Sequence, residues 1–176
     1  VGFIGFGKMG GPMLLKLIKA VHSLKVDDLS EDAINFAVQA GAVATKSVKE
    51  ASSEVDFVVT MVPVGSNVRE IFLEDGILAA AAPGTVMIDS STIDVGSAQA
   101  VHEAAKSAGF NMIDAPVSGG VIGADAGTLT FMCGGDNESF EKAKPILQGM
   151  GKNIVHCGSG GLGQATKICN LSLIHI

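Results

Sequence analysis

Tryptophan and tyrosine are missing from this 176-residue chain, and the only aromatic side chains besides its histidines are eight phenylalanines. Platforms on which nucleic-acid bases could stack are therefore nearly absent. Positive charge is also short. Twelve Lys and Arg stand against 18 Asp and Glu, and the net charge of −6 opposes binding to a phosphate backbone. No apolar run approaches the roughly 20 residues that span a bilayer. Cysteine is scarce: Cys133, Cys157 and Cys169 form no C-x-x-C pair, and an odd number in an α/β pattern argues for reduced thiols in a reducing compartment. Together with His22, His102, His156 and His175 they make no zinc spacing, so structural roles and no metal are expected. No targeting segment precedes Val1; the chain begins inside its first strand, so an upstream signal would fall outside this sequence. Internal repeats and low-complexity tracts are lacking too.

What the chain has in quantity is glycine, at 23 residues, and hydrophobic side chains, at 47%, against 17% charged. That composition supports a sizeable core with many tight turns, in one domain with the start of a second. The opening stretch sets the pattern. Val1 to Ile4 reads as a short buried strand, Gly5, Gly7 and Gly10 match G-x-G-x-x-G, and a helical apolar pattern follows at once through Met9, Met13, Leu14, Leu17 and Ile18. Strand, glycine turn and helix in that order is the context a dinucleotide fingerprint requires. Gly5 permits the turn, Gly7 lets backbone approach a pyrophosphate, and Gly10 lets helix pack on strand. The helix N-terminus then offers free N–H groups to the phosphates. Leu24 to Asp28 reads as a second strand ending in an acid, and Asp28 follows Gly7 by 21 positions. That is near the spacing of about 20 for the carboxylate that binds a ribose 2′-OH. A structural glycine turn with a strand-end carboxylate is the competing reading.

Further along, helices are expected over 31–40, capped by Ser30, over 47–51, over 68–72 and over 95–108, with strands at 42–44, 55–62, 85–89 and 110–114. The continuous apolar run at 55–62 suits a parallel strand buried on both faces. This β/α alternation implies a Rossmann-type, doubly wound and mostly parallel sheet. Ligands should then sit at the carboxyl ends of the strands, where residues 62–67, 90–92 and 115–120 fall. A glycine-rich loop over 117–127, a strand at 128–133, a helix after Asp136 and a strand at 153–156 come next. A glycine-rich hinge over 158–163 then leads into a last helix at 164–170.

Two groups offer chemistry. In Asp114-Ala-Pro-Val-Ser-Gly-Gly120, Ser118 brings a hydroxyl, and Gly119 and Gly120 can turn two N–H groups toward one point, a nest that suits a small carboxylate. An ordinary glycine turn with a capping serine fits the same residues. Lys167 stands among Ala165 and Ile168, with Asn170 three positions on and hence on the same helix face. In a dry pocket such a lysine loses charge and can take a proton from a hydroxyl; a surface lysine near a helix start is the alternative.

The sequence resembles the β-hydroxyacid dehydrogenases, and within them the 3-hydroxyisobutyrate dehydrogenase branch. The resemblance rests on Gly2-Phe-Ile-Gly-Phe-Gly-Lys-Met-Gly10 with Met13, Ile88-Asp-Ser-Ser-Thr-Ile-Asp94, Asp114 to Gly120, Gly127 to Gly135, and Gly158 to Asn170 ending Lys167-Ile-Cys-Asn170. It implies that Gly5, Phe6, Gly7, Lys8, Met9, Gly10 and Asp28 bind NAD, and that Val62, Pro63, Asn67 and Thr92 line the nicotinamide side. It also implies that Ser118, Gly119 and Gly120 hold the substrate carboxylate, Asn170 orients the substrate and Lys167 is the general acid/base, with no metal. The implied reaction is oxidation of 3-hydroxyisobutyrate to methylmalonate semialdehyde, a step of valine catabolism. The relatives that reduce semialdehydes or glyoxylate, and non-catalytic dinucleotide-binding modules, are the alternatives. A mitochondrial site is implied for a eukaryotic source and a cytoplasmic one otherwise. Lys16 and Leu171 depart from the family, standing where many members have Asn.

In this family a helical domain follows the catalytic helix, closes the cleft and makes most of the dimer interface. The resemblance therefore divides the chain into an NAD-binding domain at 1–157 and a hinge with the start of the interdomain helix at 158–170. Residues 171–176 break the pattern and read like a translated sequencing adapter. A chain ending there is expected to lack the helical domain, to fold through about Cys157, to fray beyond Gly158, to bind NAD weakly and to show little or no dehydrogenase activity. A homo-oligomer is expected only of the full-length protein.

Overall fold

Strand β1 (Gly2–Ile4) lies at the centre of a parallel sheet. On one side it pairs with β2 (Lys25–Asp27), which pairs with β3 (Val43–Ala44); on the other it pairs with β4 (Phe57–Thr60), followed by β5 (Val86–Asp89) and β6 (Asn111–Asp114). The order β3-β2-β1-β4-β5-β6 is the doubly wound one, with its switch point between β1 and β4. Beyond β6 the sheet changes direction. β8 (Leu129–Gly134) runs antiparallel to β6, β7 (Val117–Ser118) is antiparallel to β8 at the edge, and β9 (Gly151–Gly158) pairs parallel with β8. The structure is a computed structural model and describes residues 1–20, 23–74 and 76–174. His22 and His175, read above as structural, lie outside the described residues, as does residue 176.

The unbroken apolar strands are explained by burial on both faces. Phe3, Val59, Ile88 and Ile113 point into one core, shared with Met13, Leu14 and Leu17 of α1 (Gly7–Lys19) and with Phe140, Ile146 and Leu147 of α8 (Asn137–Met150). Their neighbours Ile4, Val58, Met87 and Met112 point into the other, against Val68 of α4 (Gly65–Arg69) and Val101 of α6 (Val95–Ser107). Successive strand residues thus serve opposite layers, as a period of two requires. The helices start where their caps stand. Ser30 accepts Ala33 N–H ahead of α2 (Glu31–Gln39), Ser47 accepts Glu50 N–H ahead of α3 (Val48–Ser52), and Asp94 and Asp136 do the same for α6 and α8.

Three stretches differ from the sequence reading. The expected loop at 117–127 contains β7 and α7 (Gly120–Ala126); Gly123 and Ala124 are buried, and α7 packs on α1. The many small residues hid a helix that needs them for close packing. The expected helix over 68–72 is α4 running into a π-helical turn, Glu70–Glu74, and α5 (Ile77–Ala80) follows unannounced. Finally, the last helix, expected at 164–170, is α9 (Leu162–Ile174), which starts earlier, runs further and packs on β8 and β9. Glycines make that docking possible: a Cβ on Gly134 would collide with the Leu162 and Gly163 amides, and one on Gly163 with Met132 O and Asp114. Of the thiols, Cys133 is buried, which pushes it up to about 12, Cys157 is half-buried and Cys169 exposed.

Candidate active site

A cleft of about 350 Å³ opens at the carboxyl ends of β1, β2 and β4, on the switch point. Gly5, Phe6, Gly7, Asp28, Val62, Pro63 and Asn67, each read from the sequence as cofactor-binding, line it together with Leu29, Val48 and Ile71. The three glycines of the turn have distinct jobs. Gly5 sits at φ 67°, and a Cβ there would lie 2.5 Å from Val62 Cγ1. Gly10 is buried, and its Cβ would lie 2.7 Å from that of Phe6, so it sets how closely α1 approaches β1. Gly7 is exposed, and a Cβ on it would meet nothing within 4 Å. Glycine is favoured there by a backbone φ of 27° and not by packing, and its open face fits the close approach of a ligand. The first turn of α1 carries no acid of its own, and of its N-terminal N–H groups that of Phe6 is taken by Asp28, while Lys16 and Lys19 complement the negative end in the last turn. These features fit a dinucleotide pyrophosphate.

Asp28 is held from two sides: its Oδ2 accepts Phe6 N–H at 2.8 Å and its Oδ1 accepts Ser30 N–H at 2.9 Å. The carboxylate is thereby fixed at the lip of the cleft, tied to the glycine turn. Lys25, the nearest cation by sequence, donates its ammonium to Ser53 O at 2.9 Å and so faces away from that acid. The remaining predicted residues do not line this cleft. Lys8 is exposed, Met9 packs against the core, Gly10 supports from beneath, and Thr92 is exposed in the segment after β5.

On the far side of the sheet switch, Ser118 Oγ and Asn170 Oδ1 stand 3.4 Å apart, so the serine loop and α9 meet although 52 positions separate them. Gly119 and Gly120 follow at φ 130° and 59°, both exposed, a backbone that glycine adopts readily. Lys167 lies one helical turn before Asn170 and is only 8% exposed. Burial lowers its pKa below the usual lysine range, and among the described residues no carboxylate forms an ion pair with it.

Sequence reasoning passed over the residues that hold this arrangement. Asp114, wholly buried, accepts Gly161 N–H and His102 Nε2 on Oδ1 and Gln164 N–H on Oδ2, all at 2.8 Å, and so caps the start of α9. Gln164, also wholly buried, donates from Nε2 to Ser91 O at 2.7 Å and accepts Ile93 N–H on Oε1 at 3.1 Å. Ser91 Oγ in turn accepts Val62 N–H at 2.9 Å. The side chain of Asp89, buried beside Asp114 at the end of β5, accepts Thr60 Oγ1–H and Ser91 N–H; burial pushes its pKa up to about 6 despite these bonds. In the sequence Asp114 ends a strand and opens the segment through Gly120, and nothing local distinguishes it from an ordinary strand-end acid. For Gln164 no local pattern existed, because its partners lie more than 70 positions away.

Comparison with known proteins gives the family of the fold. The family described as the NAD binding domain of 6-phosphogluconate dehydrogenase matches residues 1–158. An NAD-dependent L-serine dehydrogenase of Pseudomonas aeruginosa is 48% identical over 177 residues, which cover 100% of this chain and 59% of the relative. A probable mitochondrial 3-hydroxyisobutyrate dehydrogenase of Dictyostelium discoideum is 48% identical over 97% of this chain and 53% of its own. The solved Mycobacterium tuberculosis 3-hydroxyisobutyrate dehydrogenase with L-serine superposes with a TM-score of 0.94 at 45% identity, over 98% of this chain and 58% of that one. The chain thus spans a little over half the length of these relatives.

Proposed function

Since the chain belongs to the family of NAD-binding domains described for 6-phosphogluconate dehydrogenase, we propose that it is the cofactor-binding and proton-transfer part of an NAD-dependent dehydrogenase of small β-hydroxy acids, with 3-hydroxyisobutyrate as substrate. The observation that carries the reading is the buried Lys167 one turn from Asn170, which reaches Ser118. Ser118 and the Gly119 and Gly120 amides hold the substrate carboxylate, and Asn170 orients the chain behind it. Lys167, kept neutral by desolvation, accepts the hydroxyl proton. NAD, when bound, supplies the hydride acceptor. Gly5, Phe6, Gly7 and Asp28 grip its phosphates and ribose, with Lys8, Met9 and Gly10 completing the turn. Val62, Pro63, Asn67 and Thr92 face the nicotinamide. Position and a proton path are what these side chains contribute.

L-serine is a second substrate reading, favoured by the Pseudomonas relative's name and by the L-serine with which the Mycobacterium enzyme was solved. It too carries a hydroxyl one carbon removed from the carbon that bears the carboxylate. A role in valine catabolism and, for a eukaryotic source, a mitochondrial site follow from the same reading, since relatives from Dictyostelium, Drosophila and mouse are named mitochondrial. No helix among the described residues is long and apolar enough to cross a membrane. The test is accumulation of reduced nicotinamide when the chain meets NAD with 3-hydroxyisobutyrate or L-serine. We expect slow turnover from these 176 residues, lost in Lys167→Ala. An NAD-loaded chain that oxidises no β-hydroxy acid would contradict the assignment.

A further inference from the structure

Gln164 has no place in the reaction just described, yet its surroundings are unusually specific. Its side chain is wholly buried, and both ends of the carboxamide are engaged with backbone of one short segment: Nε2 donates to Ser91 O and Oε1 accepts Ile93 N–H. These two backbone groups flank Thr92. The same segment is anchored from the opposite side, where Ser91 Oγ accepts the N–H of Val62 in the wall of the cofactor cleft. Asp89, at the end of β5, accepts Ser91 N–H and the Thr60 hydroxyl from β4. On its own helix Gln164 is fixed by its N–H to Asp114 Oδ2, and Lys167 lies three residues on, over the same face. One buried amide therefore joins the cofactor-side segment to the helix that carries the lysine. A carboxamide suits the task because it presents one acceptor and one donor, matching one N–H and one C=O. A carboxylate offers no donor and a hydrocarbon offers neither.

We infer that Gln164 is a positioning residue: by gripping the backbone on either side of Thr92 it sets the distance between the nicotinamide end of the cleft and the Lys167 amine. The inference rests on the dehydrogenase reading for the roles of Thr92 and Lys167. It adds a residue that acts only through the placement of Thr92 and Lys167.

The test compares two substitutions in the 176-residue chain. Gln164→Met keeps the volume and loses both bonds; Gln164→Glu keeps the acceptor for Ile93 N–H and loses the donor to Ser91 O. Amide exchange by NMR is the first readout. Ile93 N–H should exchange at least about tenfold faster in Gln164→Met, an open bond exposing its donor to water, and near the wild-type rate in Gln164→Glu. Turnover is the second. A displacement of the lysine by about 1 Å should cost kcat roughly 10²-fold in Gln164→Met, with the KM for the hydroxy acid within a few-fold. Gln164→Glu should fall between it and wild type. A side chain that merely fills space would leave Gln164→Met indistinguishable from wild type in both readouts, and that result would overturn the inference. If Gln164→Met does not fold, Gln164→Glu decides alone: kcat at least tenfold down with Ile93 still protected supports positioning, and unchanged kcat overturns it. If wild type binds NAD but oxidises no hydroxy acid, the functional reading fails. The exchange rate at Ile93, with the NAD-induced shift of the Thr92 amide, then judges the grip of Gln164 independently: both altered in Gln164→Met supports it, neither altered overturns it.

Discussion

A lysine's usefulness as a base depends on its surroundings, and here the surroundings are visible. Lys167 is buried, with no ion pair to hold its charge among the described residues, and desolvation lowers its pKa. Its neutral form is then populated at lower pH than for a lysine in water, and activity should rise with pH along a limb below the ordinary lysine range. Lys167→Ala should cut turnover by roughly 10²- to 10⁴-fold while NAD affinity stays within about twofold, since no phosphate contact is lost. Lys167→Arg, which cannot deprotonate, should be as inactive. Ser118→Ala should raise the KM for the hydroxy acid more than it lowers kcat. Initial rates across pH, with NAD binding measured separately, check all three. At this scale the sequence was legible wherever one residue has one job. Gly5, Gly7 and Asp28 stand on the cleft because turn geometry and spacing admit few alternatives. Met9 was less legible: periodicity makes it part of the core face, and that is where it packs.

Elements meet through buried polar groups, and these were the hardest to foresee. The docking of α9 depends on Asp114, whose two oxygens serve Gly161 N–H, Gln164 N–H and His102. Asp114→Ala would strand those donors in the interior, and we expect a loss in urea unfolding of about 1–3 kcal/mol for each buried N–H left unsatisfied. Asp89 acts in the opposite sense. Its folded pKa of about 6 stands above the ordinary 3.8, so the native state holds the proton more tightly than the unfolded chain. The contribution of Asp89 to stability should therefore be greatest below about pH 4, fall as pH rises through about 6, and stay lower above it, by at most about 3 kcal/mol. Asp89→Asn keeps an acceptor for Thr60 and Ser91 without the charge. It should flatten that limb and exceed wild type in stability at neutral pH, though not below about pH 4, as urea midpoints across pH would show. Helix starts, by contrast, were readable, because Ser30, Asp94 and Asp136 act within three residues of themselves. The helix at Gly120–Ala126 was not, since its small residues resemble a loop until α1 is placed against them.

For the whole molecule, the β/α alternation was enough to imply a doubly wound sheet, and the observed order β3-β2-β1-β4-β5-β6 is one that such a sheet adopts. The antiparallel excursion of β7 and β8 was not implied, because nothing local in an apolar strand states its direction. What the assembled sheet creates is one cleft at its switch point, bounded by the glycine turn, the fixed Asp28 carboxylate and the β4 end. The central claim is that this cleft takes NAD, and that Asp28, which can accept from ribose hydroxyls, repels a 2′-phosphate. Calorimetric titration of the chain with NAD and with NADP tests it most directly. We predict saturable binding of NAD, at least about tenfold weaker binding of NADP, and loss of that preference in Asp28→Ala. The absence of NAD binding, or equal affinity for the two cofactors in the wild-type chain, would contradict the account.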